Sequence, residues 1–118
     1  MRYVLSLYAS FLILFIGVSC KEDDKPIRAI PSCIQLKIDT LANSVVLNSP
    51  TQVFRYQYEG ESVFKFKGGC CDQFEFVYSN QCEYICAPSG GFTGLGDGRC
   101  PNFSEEATHE ELVWEDEQ

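Results

Sequence analysis

The residues in this sequence best suited to chemistry are its cysteines, of which there are seven. Six of them follow residue 30, and each could form a disulfide, hold a metal or react as a thiolate. These six are Cys33, Cys70, Cys71, Cys82, Cys86 and Cys100. Their number is even, and no CxxC pair of the kind common in zinc sites occurs among them. We therefore expect three structural disulfides, for which the sequence leaves fifteen pairings open.

A second candidate feature is the glycine-rich segment 88–98, which ends directly before Arg99 and Cys100. Glycine-rich loops bind phosphate where they lead into a helix, but this one has neither a lysine nor a helical pattern after it. Its glycines instead predict a loop with several positive φ angles. The side chains that we expect to contact a partner are those of Phe92, Thr93, Leu95, Asp97 and Arg99.

Acidic residues and the single histidine give weaker indications of chemistry. Asp97 stands between two glycines, but calcium needs about six to eight oxygen ligands, so a calcium role for Asp97 stays open. His109 lies among glutamates with no nucleophile to activate, and we expect it in solvent. Asp72, Glu75 or Glu83 could meet as a carboxylate pair, although no pattern singles them out. We expect no metal, no cofactor and no enzymatic activity.

The N-terminus carries a predicted export signal. After Arg2, residues 3–19 contain no charged side chain, and a Gly-Val-Ser triplet precedes Cys20. Small residues before a cysteine at the end of an apolar stretch resemble the cleavage site of a bacterial lipoprotein. We expect residues 1–19 to be the signal peptide and Cys20 to become the lipidated first residue. An uncleaved membrane anchor and a cleaved signal without lipid are the alternatives.

The region after Cys20 predicts membrane attachment through lipid and not through charge. Residues 20–30 include an acidic run flanked by lysines, which is typical of a flexible tether. The net charge of −8 argues against binding to nucleic acid and against a polybasic contact with a membrane surface. We expect attachment to the outer membrane of a bacterial cell envelope, with display on the outer surface and the periplasmic face as the alternative. That oxidising location favours structural disulfides over a zinc site or a redox-labile Cys70–Cys71 bond.

Hydrophobic periodicity predicts one helix. Ile34, Ile38 and Leu41 fall on one face of a helix over 32–43, with Ser32 as its N-cap. The remaining apolar residues follow a different period, which favours strands over further helices. The sequence therefore predicts an α+β fold, in which one N-terminal helix packs on a small antiparallel sheet stabilised by disulfides and carrying the glycine-rich loop. Residues 31–118 form a single small domain.

Alternating patterns predict the strands of this sheet. Two alternating runs, 53–58 and 62–67, flank a glycine-containing turn and predict a hairpin. The aromatic side chains that we expect on one buried face are Phe54, Tyr56, Tyr58, Phe64 and Phe66. The charged side chains that we expect in solvent are Arg55, Lys65 and Lys67. Residues 74–78 predict a third strand and residues 112–114 a short last one.

Two strings of residues carry a family resemblance. The sequence CCDQF begins at Cys70, and CAPSGGFTGLGDGRCP runs from Cys86 to Pro101. With these strings, the chain over about residues 31–116 resembles a family of small bacterial lipoproteins classed as a domain of unknown function. The resemblance implies an exported, single-domain fold, and it implies no catalytic residues.

These observations lead to an expected function without a substrate. We expect a lipid-anchored, non-enzymatic binding or interaction module that acts through the loop 88–99. Its expected partners are the membrane, reached through the lipid, and an extracellular or envelope protein. An extracellular protease inhibitor is the alternative, since rigid disulfide-braced loops suit that role. A small carboxylate-dependent enzyme is a further alternative.

Overall fold

The computed structural model describes residues 29–44 and 49–117. The predictions for the signal peptide 1–19, for Cys20 and for the tether up to residue 28 lie outside these ranges. Within them, one long helix packs on a five-stranded antiparallel sheet, which confirms the α+β fold. Neither helix in the described part of the chain has the length and apolar character needed to cross a membrane.

The elements follow one another with short connections. In chain order they are α1 Ser32–Ala42, β1 Pro50–Tyr58, β2 Glu61–Gly68, β3 Phe76–Ser79, β4 Tyr84–Cys86, α2 Phe103–Glu106 and β5 Thr108–Glu115. The strand order in the sheet is β4-β3-β2-β1-β5, so the last strand of the chain pairs with the first. The sequence patterns did not predict β4 or the single turn of α2, and β5 is longer than predicted.

Helix α1 forms as its periodicity predicts and buries Ile34 and Ile38 against the sheet. Each fully buried isoleucine contributes roughly 1.5–3 kcal/mol to stability. The prediction that Ser32 caps the helix was wrong. Pro31 occupies the N-cap position with extended backbone angles, and its carbonyl accepts the Gln35 N–H at 2.9 Å. Ser32 is already helical, and its side chain makes no capping bond.

The aromatic residues of the hairpin do not share one face, so that prediction was wrong. The Glu59-Gly60 turn pairs Tyr58 with Glu61, and the same register places Phe64 opposite Arg55 and Tyr56 opposite Val63. Directly paired residues in an antiparallel sheet lie on the same face, and a shift of one residue reverses the faces. Phe64 therefore faces α1, whereas Tyr56 faces the opposite side.

The sheet consequently has a core on each face. The α1 core consists of Ile34, Ile38, Val53, Phe64 and Phe66. The loop-side core consists of Tyr56, Tyr58, Val63, Val77, Cys86, Cys100 and Phe103. Trp114 of β5 packs against the α1 core, and Phe103 of α2 covers the second face. The segment that follows β4 is thus a structural layer of the fold.

Two of the three basic residues expected in solvent are instead paired within the fold. Arg55 is only 5% exposed, and its guanidinium lies 2.9 Å from the Glu111 carboxylate. Lys65 is partly buried and pairs with Glu75 at 3.1 Å. The prediction was wrong for Arg55 because β5 pairs with β1 and places Glu111 directly beside it. A buried guanidinium needs such a partner, since an unpaired buried charge is strongly destabilising.

All six cysteines that follow residue 30 form disulfides, which confirms the prediction of three bonds. Cys33–Cys82 joins the first turn of α1 to the β3–β4 connection, across a sequence separation of 49. Cys86–Cys100 closes the glycine-rich segment, across a separation of 14. Cys70–Cys71 links adjacent residues in the β2–β3 connection. The first two bonds therefore constrain the chain over a distance, and the third does not.

We predict that the three disulfides differ strongly in their contribution to stability. In the chain-entropy account, Cys33–Cys82 contributes about 4 kcal/mol and Cys86–Cys100 about 3 kcal/mol, because each closes a long loop of the unfolded chain. Cys70–Cys71 closes no such loop. Replacement of each pair by alanine, followed by urea unfolding, should therefore show large losses for the first two pairs. An equally large loss for the Cys70–Cys71 pair would contradict this prediction.

Candidate functional site: the loop between Cys86 and Cys100

The base of the glycine-rich loop belongs to the loop-side core. Cys86 at the end of β4 and Cys100 are both buried, and their Cα atoms lie 6.0 Å apart across the disulfide. Ala87 is buried beside them. Because both ends of the loop are fixed in the core, the residues between them are held in a defined position relative to the sheet.

Backbone hydrogen bonds fold the loop on itself. The N–H groups of Asp97, Gly96 and Gly94 donate to the carbonyls of Ala87, Gly90 and Gly91, at 2.9, 3.0 and 3.1 Å respectively. A further bond, from the Glu75 N–H to the Ser89 carbonyl, attaches the loop to the segment before β3 at 3.1 Å. The loop is therefore a compact, internally bonded turn rather than an open connection.

Glycine is required at the positions where the loop touches its support. Gly90 has a φ of +87°, and a Cβ there would overlap the carbonyl of Gln73. Gly91 has a φ of +75°, and its Cβ would lie 2.6 Å from the Phe74 ring. Both conditions exclude ordinary L-residues, since positive φ and close approach each favour glycine. The predicted positive-φ loop is thus observed.

The tip of the loop presents apolar side chains to solvent. Phe92 is 96% exposed and Leu95 is 77% exposed. Thr93 between them is also exposed, and its hydroxyl accepts the Leu95 N–H at 3.4 Å. Such exposure gives no stability to the fold, because burial of apolar surface is what stabilises a protein. The structure thus places Phe92, Thr93 and Leu95 together on one projecting turn.

Asp97 and Arg99 both contact Tyr84 of β4. The Asp97 carboxylate accepts hydrogen bonds from the Tyr84 hydroxyl and, at 3.0 Å, from the Arg99 N–H. The Arg99 guanidinium lies 5.3 Å from the centre of the Tyr84 ring, within the range of a cation–π contact. These two predicted contact residues therefore brace the loop against β4, while the tip remains free of such bonds.

The contact between Asp97 and Tyr84, here called the brace, also affects the pKa values of both side chains. Burial, the hydrogen bond to Asp97 and the negative charge of Asp97 together raise the pKa of Tyr84 to about 12. Burial opposes ionisation of Asp97, but hydrogen bonds from Tyr84 and from the backbone of Arg99 and Ala87 outweigh it, so the pKa of Asp97 is lowered. At neutral pH the pair is a neutral phenol donating to a carboxylate.

The sequence patterns did not single out Tyr84 or Phe74 as part of the site. Phe74 supports Gly91 from below, and its ring centre lies 6.1 Å from that of Phe76. Phe76 in turn lies 5.8 Å from Tyr84. All three rings are partly exposed, and they form an aromatic surface beside the loop. The alternation of aromatic residues in 74–78 is the sequence signal that indicates this surface.

Glu75 and His109, two further residues that the sequence offered as candidates for chemistry, make contacts within the fold. Glu75 pairs with Lys65 and accepts the Ser89 hydroxyl at 2.8 Å, so its carboxylate is used within the fold. His109 is exposed, and its ring nitrogen lies 3.0 Å from the Thr108 hydroxyl. Among the residues that the structure describes, no group of three or more His, Cys, Asp or Glu is arranged to hold a metal ion.

Comparison with known proteins places the chain in a family. Residues 39–116 match the family described as Domain of unknown function (DUF6970). The chain belongs to this family. The match extends from the second half of α1 to the end of β5, and it includes the entire glycine-rich loop with both of its cysteines. No curated protein and no solved structure matches the chain significantly.

We predict that Asp97→Asn makes the fold less stable at neutral pH and that the difference disappears in acid. A lowered pKa means that the ionised carboxylate stabilises the folded state above the pKa of the unfolded chain, about 4. This contribution is lost as the pH falls through the lower pKa of the folded state. Urea unfolding of both proteins from pH 7 to pH 2.5 measures the difference.

The control for this prediction is Asp72→Asn, which removes an exposed carboxylate of the β2–β3 connection. It changes the net charge equally without touching Tyr84. In addition, Asp97→Asn should lower the pKa of Tyr84 from about 12, since the negative charge is removed and a neutral amide oxygen is a weaker acceptor than a carboxylate. NMR titration of ¹³C-labelled tyrosine measures this pKa. An unchanged Tyr84 pKa in Asp97→Asn would show that the brace does not form in solution.

Proposed function

We propose that this protein is a non-enzymatic binding module of the bacterial cell envelope, anchored through lipid on Cys20, and that it contacts a protein partner through the loop tip. The observation that carries the proposal is the exposure of Phe92 and Leu95 on a turn whose base is fixed in the core. The proposal names a mode of action and a class of partner.

Rigidity of the loop supports a role in recognition. Binding costs free energy when flexible groups become ordered, at about 0.5–1.5 kcal/mol for each immobilised side chain. Here the disulfide, the internal backbone bonds and the Asp97–Tyr84 brace hold the loop before any partner arrives. The tip can therefore enter a complementary pocket at a small entropic cost.

The side chains of the tip indicate the chemistry of the partner. Aromatic anchors that fill pockets contribute much of the free energy in protein interfaces, and Phe92 has the required size and exposure. The chain has a net charge of −8, so a partner with a basic rim around its apolar pocket would be attracted at long range. We therefore propose an envelope or extracellular protein with an apolar pocket and a positively charged surround.

The proposed lipid anchor on Cys20 is compatible with contact to a partner through the loop tip. A flexible acidic tether after Cys20 would hold the domain near the membrane and leave the loop free to meet a partner. Two or more acyl chains on the N-terminal cysteine would attach it stably, where a single chain gives only marginal binding. Display on the outer surface of the outer membrane is part of this proposal.

We predict that mass spectrometry of protein from the native membrane fraction finds an N-terminal peptide that begins at acylated Cys20. The small residues before Cys20 are the reason for this expectation. The matched control is Cys20→Ala, which should abolish both the acyl mass and the N-terminal peptide that begins at residue 20. An unmodified Cys20 in membrane-bound protein would contradict the anchor and leave the loop proposal standing.

We predict that a photo-crosslinking amino acid at position 92 forms a discrete adduct with one envelope or extracellular protein in intact cells. The same amino acid at position 112 is the control, because Leu112 is 45% exposed but lies on β5, outside the loop. With the captured partner purified, Phe92→Ala should weaken binding by about 30-fold or more, which corresponds to loss of about 2 kcal/mol.

Two results would contradict the proposal that the loop tip contacts the partner. Adducts of equal yield at positions 92 and 112 would show unspecific contact, and an unchanged affinity for Phe92→Ala would show that the tip is not the anchor. If the captured partner is a protease that the purified domain inhibits, the same loop acts as an inhibitor. In that case the loop tip remains the contact surface, and the effect of binding is inhibition of the protease.

A further inference from the structure

A groove of about 660 Å³ lies on the α1 side of the sheet, apart from the tip of the glycine-rich loop. Its wall is mainly apolar, and the Cys33–Cys82 disulfide contributes to the lining. The large side chains that line it are Leu36, Leu41, Pro50, Phe66, Phe76 and Tyr78. Its volume lies within the range of about 300–1,000 Å³ that is usual for small-molecule sites.

The groove exposes apolar surface that the fold leaves uncovered. Leu36 is 67% exposed on α1, and Phe76 on β3 is partly exposed opposite it. Leu36, Thr40 and Leu41 line the groove over about 7.5 Å of the helix axis, which is more than one turn. An extended apolar chain lying along this wall would cover the exposed surface of both side chains.

A cation stands at the edge of this apolar wall. The Lys37 ammonium lies 4.4 Å from the centre of the Tyr78 ring, and both residues line the groove. The cation–π contact holds the charge beside the groove. Burial also raises the pKa of Tyr78, so its hydroxyl stays neutral and able to donate.

Lys37 has no carboxylate partner among the described residues, although the protein is strongly acidic. The two ion pairs found there belong to Arg55 and Lys65. Asp39, two residues along the helix, accepts the Gln35 side-chain amide at 2.9 Å, and residues two apart do not face each other on a helix. The local charge at the groove is therefore positive, opposite in sign to the protein as a whole.

We infer that this groove binds a free monocarboxylic acid with an unbranched apolar chain. The chain lies along Leu36, Phe76 and Phe66, and the carboxylate pairs with the ammonium of Lys37. The apolar wall favours an apolar alkyl chain. The Lys37 ammonium, held over the Tyr78 ring at the edge of the wall, favours a ligand with one carboxylate group. The inference concerns a site separate from the loop tip and does not depend on the proposed function.

The test uses residues 21–118, the chain that follows the predicted lipidation site, exported so that its disulfides form. This piece contains both cores and all three disulfides, so it includes the complete described fold. Calorimetric titration with octanoate, decanoate and dodecanoate below their micelle concentrations should show affinity rising about fourfold for each added methylene. Affinities that do not depend on chain length would overturn the inference.

Two matched variants test the role of the cation. Lys37→Met should weaken decanoate binding by about tenfold or more and leave binding of the neutral decanol unchanged. Lys67→Met makes the same substitution on an exposed lysine of β2 that does not line the groove, and it should bind decanoate like the parent protein. Equal decanoate affinity in all three proteins would overturn the assignment of Lys37.

A second copy of the chain is the main competing occupant. Sedimentation of the same protein with and without dodecanoate separates the two cases. A monomer that binds dodecanoate supports the inference, whereas a stable dimer that dodecanoate neither enters nor dissociates would overturn it. Failure of crosslinking at position 92 would leave these results unaffected, because the loop tip and the groove share no residue.

Discussion

The register of the β1–β2 hairpin determines which side chains lie on each face of the sheet, and therefore what must cover each face. Glu59 and Gly60 both have positive φ angles, and their turn pairs Tyr58 with Glu61. Two-residue hairpin turns of this kind match the natural twist of paired strands, so the register is fixed locally. Since side chains alternate between faces, this one turn decides that Phe64 faces α1 and that Tyr56 faces the opposite side.

Because both faces of the sheet carry apolar side chains, each face must be covered by another part of the chain. A helix covers one face and a largely irregular segment covers the other. Helix α1 covers one face and is tied to the β3–β4 connection through Cys33–Cys82. The other face is covered by an irregular segment, whose order comes from the Cys86–Cys100 bond, buried Phe103 and the contacts of Gly90 with Gln73. A domain this small has a thin core, so such covalent links matter more than in a larger protein.

Four of the five basic residues in the described part of the chain make defined contacts. Arg55 and Lys65 pair with Glu111 and Glu75 in the sheet, and those pairs satisfy charges that burial would otherwise make costly. Lys37 and Arg99 instead lie over the rings of Tyr78 and Tyr84, whose centres are 6.0 Å apart. The first pattern stabilises the fold, whereas the second leaves two cations beside partly exposed aromatic side chains.

Local periodicity, turn residues and the count of six cysteines after residue 30 were sufficient to predict the fold class, helix α1, the β1–β2 hairpin and three disulfides. The sequence also indicated that Phe92 and Leu95 are exposed, since side chains in a glycine-rich surface loop usually lie in solvent. The disulfide pairing, the burial of Arg55, the contact of Asp97 with Tyr84 and the groove beside Lys37 could be recognised only in the folded molecule. Each of these depends on which segments meet in space, above all on β5 joining β1, and no local pattern in the chain encodes that meeting.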